Sequence, residues 1–174
     1  MSTTSRYSTF SLAGDLYGVE VERVQEVLKH QPMTPVPLAP PSVAGLVNLR
    51  GQVSTAIDMR RRLDLPLRGE DDLPMNVVVR TDDGLVSLLV DRIGDVVDAD
   101  DSTFEQAQDA MTGPARQLVR GTYDLGEKLL LALDVDQTVD VNSRQNVGAG
   151  DRGGSTSTTG RGGTRPGTPD TSRT

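Results

Sequence analysis

Residues 45–59 read GLVNLRGQVSTAIDM, and the second half of this stretch alternates with a period of two. One set of alternating positions holds Val53, Thr55, Ile57 and Met59, and the other holds Gln52, Ser54, Ala56 and Asp58. Successive side chains of a β-strand point to opposite faces of a sheet, whereas a helix repeats every 3.6 residues. The stretch therefore predicts a half-buried strand.

The same period extends on both sides of this strand. On the amino-terminal side, Ser8, Phe10 and Leu12 form one alternating set, and Tyr17, Val19 and Val21 form another. Residues 77–79, 85–90 and 129–133 are continuously or almost continuously apolar, which favours strands that are covered on both faces. Glycine- and aspartate-containing turns at 13–15, 81–84 and 124–127 separate neighbouring strands.

Helical signals are few and short. The spacing of Val21, Val24, Val27 and Leu28 predicts a helix of two turns at most. Residues 59–63 predict a further helical turn, with Asp58 as its amino-terminal cap, and residues 134–139 predict a last short helix. Five prolines between positions 30 and 42 predict a loop, because proline has no amide donor for a helix or sheet.

Composition divides the chain into parts. Residues 1–142 carry a net charge of −10 and most of the apolar side chains, whereas residues 143–174 carry +3 and only two apolar residues. We predict a flexible amino terminus at 1–6, a folded domain at 7–142 and a disordered Gly/Ser/Thr/Pro/Arg tail at 143–174. The patterns indicate about nine strands in about 140 residues, which is more than one five-stranded barrel contains. An all-β fold of two small barrels that share a core is predicted.

Several chemistries are excluded or unsupported. The chain has no cysteine and one histidine, His30, so thiolate and multi-histidine metal sites are excluded. No nucleotide-binding or hydrolase motif is found, and we predict no catalytic residue, metal or cofactor. The acidic folded part argues against nucleic acid as a partner. No apolar run is long enough for a membrane span and no secretory signal is seen, so a cytoplasmic location is expected.

Two charged segments have ordinary interpretations. Asp98-Ala99-Asp100-Asp101 begins like a calcium loop, but the sixth position is Thr103 rather than glycine, so an acidic surface turn is predicted. The trio Arg60-Arg61-Arg62 is interpreted as the exposed face of a short helix.

Five motifs in order give the chain a family resemblance. Val24-Gln25-Glu26-Val27 is similar to V-x-E-[IV]. GLVNLRG at 45–51, followed by Ile57-Asp58-Met59-Arg60, is similar to G-x-x-N-x-R-G and a D-L-R triplet. The other three motifs are the first strand pair at 10–19, VDRIGDV at 90–96 and the hairpin at 121–134. From about Tyr7 to Val141, the chain resembles the CheW family of chemotaxis coupling proteins.

The resemblance implies a fold and a function. The fold is two five-stranded, SH3-like barrels on a common hydrophobic core. The function is that of a non-catalytic adaptor or scaffold in chemotaxis signal transduction, which couples the cytoplasmic tips of chemoreceptors to the histidine kinase CheA. Such adaptors help to assemble receptor arrays at the membrane without being inserted in it.

The resemblance also implies a receptor-binding groove between the barrels. Its apolar lining is expected to be Val24, Val27, Ile93 and Val96, with Val77 nearby. Glu26 and Arg50 resemble the family's charged pair beside the groove. The remaining motif and turn positions are Gly45, Asn48, Gly51, Asp58 and Arg60.

The chain departs from the family pattern in places. Residues 53–57 read VSTAI where the family has V-x-P-[IV], and residues 104–109 lack the usual prolines. The 32-residue tail is not part of the pattern. Other readings are a β-barrel that binds nucleic acid, helped by the basic tail, a partner of another signalling protein outside chemotaxis, and an enzyme with an unrecognised motif.

Overall fold

The computed structural model describes residues 3–106 and 111–142, and within them the chain is mainly β-structure. The strands are β1 (Thr4–Leu12), β2 (Asp15–Glu20), β3 (Val24–Leu28), β4 (Met33–Thr34), β5 (Val43–Leu49), β6 (Gln52–Asp58), β7 (Met75–Thr81), β8 (Gly84–Val90), β9 (Arg92–Asp100), β10 (Glu105–Gln106), β11 (Val119–Asp124) and β12 (Leu129–Leu133). The α-helices are α1 (Met59–Arg62), α2 (Ala115–Leu118) and α3 (Val135–Val139), and single 3-10 turns occupy Val21–Arg23 and Asp101–Thr103.

The strands form two six-stranded sheets. Sheet A has the order β10-β11-β12-β2-β1-β9, and sheet B has the order β3-β7-β8-β6-β5-β4. Each sheet contains five longer strands and one strand of two residues. Neighbouring strands are antiparallel except for β12 with β2 and β6 with β8.

Three hydrophobic clusters hold the sheets together. The largest, which we call the central cluster, contains side chains from both sheets, among them Phe10 and Leu12 from sheet A and Ile57 and Leu88 from sheet B. A second cluster around Tyr7 and Tyr123 belongs to sheet A. The third cluster belongs to sheet B, and its buried members are Val47, Leu49, Ala56, Val78 and Leu89. Each sheet thus has its own core and shares a larger one, which confirms the predicted two-part, mainly β architecture.

The two sheets have the same topology. Adding six to each strand number of sheet B, and counting from β1 again after β12, reproduces sheet A in reverse order. The single parallel pair of each sheet occupies the same place. A weak sequence repeat accompanies the symmetry, because residues 21–28 read VERVQEVL and residues 90–97 read VDRIGDVV. The two sheets therefore share one topology, in which β3 corresponds to β9.

The predicted helix at 21–28 is wrong. Only Val21–Arg23 forms a helical turn, and Val24–Leu28 is the strand β3. The three-residue spacing of Val24 and Val27 arises from a register shift between Val24 and Glu26, where β3 pairs with β7. Gln25 is the extra residue of a β-bulge, and a bulge returns residues three apart to the same face.

Two other predictions need correction. Strand β1 begins at Thr4, which pairs with Asp100, so residues 4–6 are not a flexible terminus. In β6, Val53 is 62% exposed, whereas Ser54 and Ala56 are buried together with Ile57. This strand is covered on both faces because Ile57 joins the central cluster and Ala56 joins the cluster of sheet B. The predicted tail at 143–174 lies outside the described residues.

Both other predicted helical turns are present. Helix α1 begins after Asp58, whose carboxylate accepts a hydrogen bond from the Arg60 amide at 3.0 Å. Helix α3 begins after Asp134, which accepts from the Gln137 amide in the same way. Since α1 follows β6 and α3 follows β12, these two capped helices occupy corresponding places in the shared topology.

Candidate functional site

Strand β3 carries two of the predicted groove residues on one face. Val24 pairs with Val79, Glu26 with Val78 and Val27 with Val77. Directly opposed residues of an antiparallel pair share a face, and successive residues of β7 alternate between faces. Val24 and Val27 therefore share the face of Val79 and Val77, while Glu26 lies on the other face.

Strand β9 repeats this arrangement. Ile93 pairs with Phe10 and Val96 pairs with Ser8, so two residues of β9, Gly94 and Asp95, oppose one residue of β1. The Thr9 hydroxyl donates a hydrogen bond to the Asp95 carbonyl and holds this bulge in place. A Cβ on Gly94 would lie 2.6 Å from the Thr9 hydroxyl oxygen, so any larger residue would have to displace Thr9. Ile93 and Val96 are thereby placed on one face.

These two bulged strands lie at the edges of their sheets. Strand β3 is the first strand of sheet B, β9 is the last of sheet A, and β9 lies against β7, the partner of β3. Val24 and Ile93 pack against the central cluster. Val27 is 43% exposed and Val96 is 56% exposed. On this face, each edge strand therefore has one anchored and one exposed apolar side chain.

Val77 is placed differently from the other predicted groove residues. Its side chain is 0% exposed and belongs to the central cluster. A partner cannot contact it without opening the core, so its inclusion as a contact residue is corrected: Val77 supports Val27 from beneath as its cross-strand neighbour.

The predicted charged pair is formed. Arg50 Nη2 lies 3.2 Å from Glu26 Oε2; the Arg50 side chain is 84% exposed and that of Glu26 is 21% exposed. Arg50 and Gly51 are the two residues of the β5–β6 turn, with φ values of 52° and 85°. Two successive positive φ values are those of a type I′ turn, in which glycine is favoured and arginine is not. The Gly51 amide donates to Asn48 Oδ1 at 2.9 Å and closes the turn.

Gly45 serves a close approach rather than a turn. It lies within β5, and a Cβ at this position would be 2.6 Å from the Thr34 carbonyl oxygen. The glycine therefore allows the short strand β4 to pair with β5. Gly121 has the corresponding position in β11, where a Cβ would meet Phe104 and the Glu105 carbonyl.

Asp58 and Arg60 belong to an ionic cluster that joins the sheets. Arg60 binds Asp91 through Nε at 2.9 Å and Nη2 at 2.6 Å, and Arg68 Nη2 binds the same carboxylate at 3.0 Å. Asp91 is the single residue between β8 and β9, and it also accepts from the Ala13 amide of the β1–β2 turn. Burial alone would raise the pKa of Asp91, but these hydrogen bonds from Arg60, Ala13 and Arg68 lower it to about 2.

The arginine trio is not simply an exposed helix face. Arg62 is buried, and its guanidinium donates to the carbonyl oxygens of Gln137, Thr138 and Asp140 at 2.8–2.9 Å. The last carbonyls of a helix lack partners within the helix, and an arginine can satisfy them. Arg62 thus ties α1 to the end of α3, and Arg61 alone fits the prediction of an exposed side chain.

Sequence reasoning missed the roles of Asp91 and Arg62. Their partners lie 31 and about 76 positions away in the chain, so no local spacing pattern indicates the contacts. The internal similarity of VERVQEVL and VDRIGDVV was a usable signal, because it relates Val24 to Ile93 and Val27 to Val96.

The described residues offer surfaces rather than an obvious reaction centre. Within residues 3–106 and 111–142, no group of three or more His, Asp or Glu side chains is placed to hold a metal ion. No helix in the same part of the chain is long and apolar enough to cross a membrane. The fold therefore defines a class of protein, a mainly β scaffold with two bulged edge strands, β3 and β9.

Comparison with known proteins identifies the family. The CheW-like domain model matches residues 6–142. The chain is 28% identical to the chemotaxis protein CheW of Bacillus subtilis over 147 residues, which cover 84% of this chain and 94% of the relative. It is 28% identical over 131 residues to CheW of Treponema pallidum, covering 73% and 77% of the two chains.

A solved structure shows the same fold. The crystal structure of the scaffolding protein TtCheW from Thermoanaerobacter tengcongensis matches with a TM-score of 0.72 at 26% identity, covering 80% of this chain and 95% of that one. The chain belongs to the CheW family, and its function is that of a chemotaxis coupling adaptor. The nucleic-acid-binding alternative is not favoured.

Proposed function

We propose that this chain couples the cytoplasmic tips of chemoreceptors to a CheA-type histidine kinase, without catalysing a reaction and without a cofactor. The observation that carries the proposal is the pair of bulged edge strands, β3 and β9, each with one exposed valine beside an anchored apolar residue. The chain acts in the cytoplasm, at receptor arrays that its partners hold at the membrane.

The geometry suits a helical partner. A helix binds a groove by burying an apolar stripe whose residues recur every three or four positions. Val27 and Val96 supply exposed apolar surface on the two edges, and Val24 and Ile93 fix the backbone beneath them by packing against the central cluster. Burying a valine side chain stabilises a complex by about 1.5–3 kcal/mol relative to leaving it in water.

The kinase is expected to bind elsewhere. A coupling protein must hold receptor and kinase at the same time, so the two sites have to be separate surfaces. A substitution that affects receptor binding alone therefore distinguishes coupling from general damage to the fold.

The test uses two exposed valines. Val96→Asp places a charge in the proposed groove, and Val53→Asp makes the same change at a valine of similar exposure on β6. We expect Val96→Asp to weaken binding of a receptor tip fragment by more than tenfold, which corresponds to about 1.4 kcal/mol, while binding of the kinase is retained.

Val53→Asp is the control for solubility and for net charge, and it should leave receptor binding within about threefold of wild type, about 0.7 kcal/mol. Equal receptor binding by wild type and a folded Val96→Asp variant would remove β9 from the site. Failure of the wild-type chain to bind either a receptor tip or a CheA-type kinase would overturn the proposed function.

A further inference from the structure

Each crossover between the two sheets carries an ion pair to a capped helix. At the crossover from β8 to β9, Asp91 pairs with Arg60, the second residue of α1, at 2.6 Å. At the crossover from β2 to β3, Arg23 pairs with Asp136, the second residue of α3, at 2.7 Å. Since α1 and α3 occupy corresponding places, the two ion pairs correspond as well, with acid and base exchanged.

The two ion pairs differ in burial. The side chains of Arg60 and Asp91 are each 17% exposed, whereas that of Arg23 is 30% exposed and that of Asp136 is 64% exposed. An exposed ion pair contributes little to the stability of a fold and is screened by salt. The central cluster and the ionic cluster around Asp91 already join the sheets, so the Arg23–Asp136 pair is the weaker connection between them.

Arg23 is nevertheless held on two sides. Its guanidinium donates to both carboxylate oxygens of Asp136, at 2.7 and 3.3 Å, and its Nε donates to the Arg80 carbonyl oxygen of β7 at 3.1 Å. A bidentate pair fixes the orientation of the guanidinium as well as its distance. The hydrogen bond from Arg23 lowers the pKa of the Asp136 carboxyl, so the pair stays ionised near neutrality. One side chain thus connects the residue before β3 with β7 and with α3.

Strand β3 is the less firmly held of the two edges. It has five residues and β9 has nine. Its one neighbour in sheet B is β7, and the bulge at Gln25 interrupts the pairing between them. A short, interrupted edge strand has few backbone hydrogen bonds to keep it in place. Side-chain contacts at the start of β3 therefore have a large influence on where the strand lies.

We propose that Arg23 is a positioning residue for the receptor groove: through Asp136 and the Arg80 carbonyl it fixes the start of β3, and with it the placement of Val24 and Val27 against the partner helix. The inference rests on the proposed function and adds the group that sets one wall of the groove. Arg23 itself does not contact the partner. Because α3 follows the last strand of sheet A, the Arg23–Asp136 pair ties the β3 wall to the sheet that carries the β9 wall.

The experiment uses the full chain and has two readouts, binding of a receptor tip fragment and hydrogen exchange of the β3 amides without receptor. Arg23→Gln and Asp136→Asn each remove one charge at similar size, and Asp136→Glu keeps the charge. Arg61→Gln is the matched control, because Arg61 is an exposed arginine of α1 that pairs, at 3.9 Å, with Asp58 of its own segment.

We expect Arg23→Gln and Asp136→Asn each to weaken receptor binding about fivefold, which corresponds to about 1 kcal/mol, and Asp136→Glu and Arg61→Gln to stay within about twofold of wild type. The double variant should bind no more weakly than either single variant, because both break the same pair. Kinase binding and the denaturation midpoint should change little, since the pair is exposed. The loss in Arg23→Gln should shrink at high salt, which already weakens the pair in wild type.

Hydrogen exchange reads the position of β3 independently of any receptor. The amides of β3 should exchange faster in Arg23→Gln and Asp136→Asn than in wild type or Arg61→Gln, with the amides of β9 less affected. Unchanged exchange in β3 would overturn the inference.

The binding outcomes separate the two proposals. If the wild type binds the fragment and both neutral variants bind it equally well, the inference is overturned while the proposed function stands. Additive losses in the double variant would show that Arg23 and Asp136 act separately, which also overturns it. If the wild type binds no receptor fragment, the proposed function is overturned and the role of Arg23 toward the groove falls with it.

Discussion

Arg50 is held against Glu26 by a turn that an arginine rarely occupies. The guanidinium and the carboxylate are 3.2 Å apart, and Arg50 has a φ of 52° next to Gly51 at 85°. A left-handed conformation costs a non-glycine residue roughly 1–2 kcal/mol. The chain thus has an arginine where asparagine or glycine would suit the backbone better, and the contact with Glu26 offsets part of that cost.

A double-mutant cycle separates the backbone cost from the ion pair. Arg50→Asn removes the guanidinium and favours the same turn, and Glu26→Gln removes the negative charge at constant size. We expect a coupling energy of ~0–1 kcal/mol in denaturation, because Arg50 is exposed, and a larger coupling in receptor binding. Strictly additive effects in both assays would show that the pair has no role.

The second prediction concerns the dependence of stability on pH. The pKa of Asp91 falls from its ordinary value of 3.8 to about 2 in the folded chain. A lowered folded pKa means that the contribution of Asp91 is complete above about pH 4 and is lost as the pH falls toward 2. The contribution of Asp91 to the free energy of unfolding is about 2.5 kcal/mol, since each pKa unit corresponds to about 1.4 kcal/mol.

The predicted pH dependence is tested by measuring the free energy of unfolding of wild type and Asp91→Asn at pH 6, 4 and 2.5. Asp91→Asn should be less stable at pH 6 by roughly 2–4 kcal/mol, because Arg60 and Arg68 lose a partly buried partner, and the gap should narrow on acidification. Asp98→Asn is the control, since the Asp98–Arg6 pair is well exposed and its loss should change the stability little at any of the three pH values. A gap for Asp91→Asn that stays constant with pH would contradict the prediction.

The third prediction tests the bulge in β9. Gly94→Ala places a Cβ 2.6 Å from the Thr9 hydroxyl, which must then move and release the Asp95 carbonyl. We expect a loss of about 1–3 kcal/mol and weaker receptor binding, because Ile93 and Val96 would no longer be held on one face. Gln25→Ala is the matched change in the β3 bulge, where a Cβ is already present, and it should be nearly neutral. Equal effects of the two changes would argue against a positional role of Gly94.

The limits of the sequence are clearest at β3. Two valines three residues apart favour a helix if every strand is assumed to be regular, and the bulge at Gln25 breaks that assumption. The second copy at 90–97 carries the same spacing, and it too lies mainly in a bulged strand, β9.

Other features could not be read from local pattern. Period-two alternation and apolar runs indicated β1, β2, β6, β7, β8 and β12, and the cap Asp58 indicated α1. The burial of Arg62 depends on carbonyl groups at the end of α3, and the position of Asp91 depends on Arg60, Arg68 and the Ala13 amide. Such contacts join segments distant in the chain, and amino-acid type alone does not reveal them.

The order of the strands in the chain determines when each sheet can form during synthesis. Sheet B is continuous in the chain, from β3 to β8, and all its strands have been synthesised once Val90 has left the ribosome. Sheet A combines the first two strands with the last four, so β1 and β2 must wait for Leu133 before their sheet can close. Until Leu133 has been synthesised, the hairpin of β1 and β2 has strand edges without partners next to the already complete sheet B. Such an edge invites wrong pairing with a neighbouring nascent chain, and the charged Arg6, Asp15 and Glu20 along it discourage that pairing.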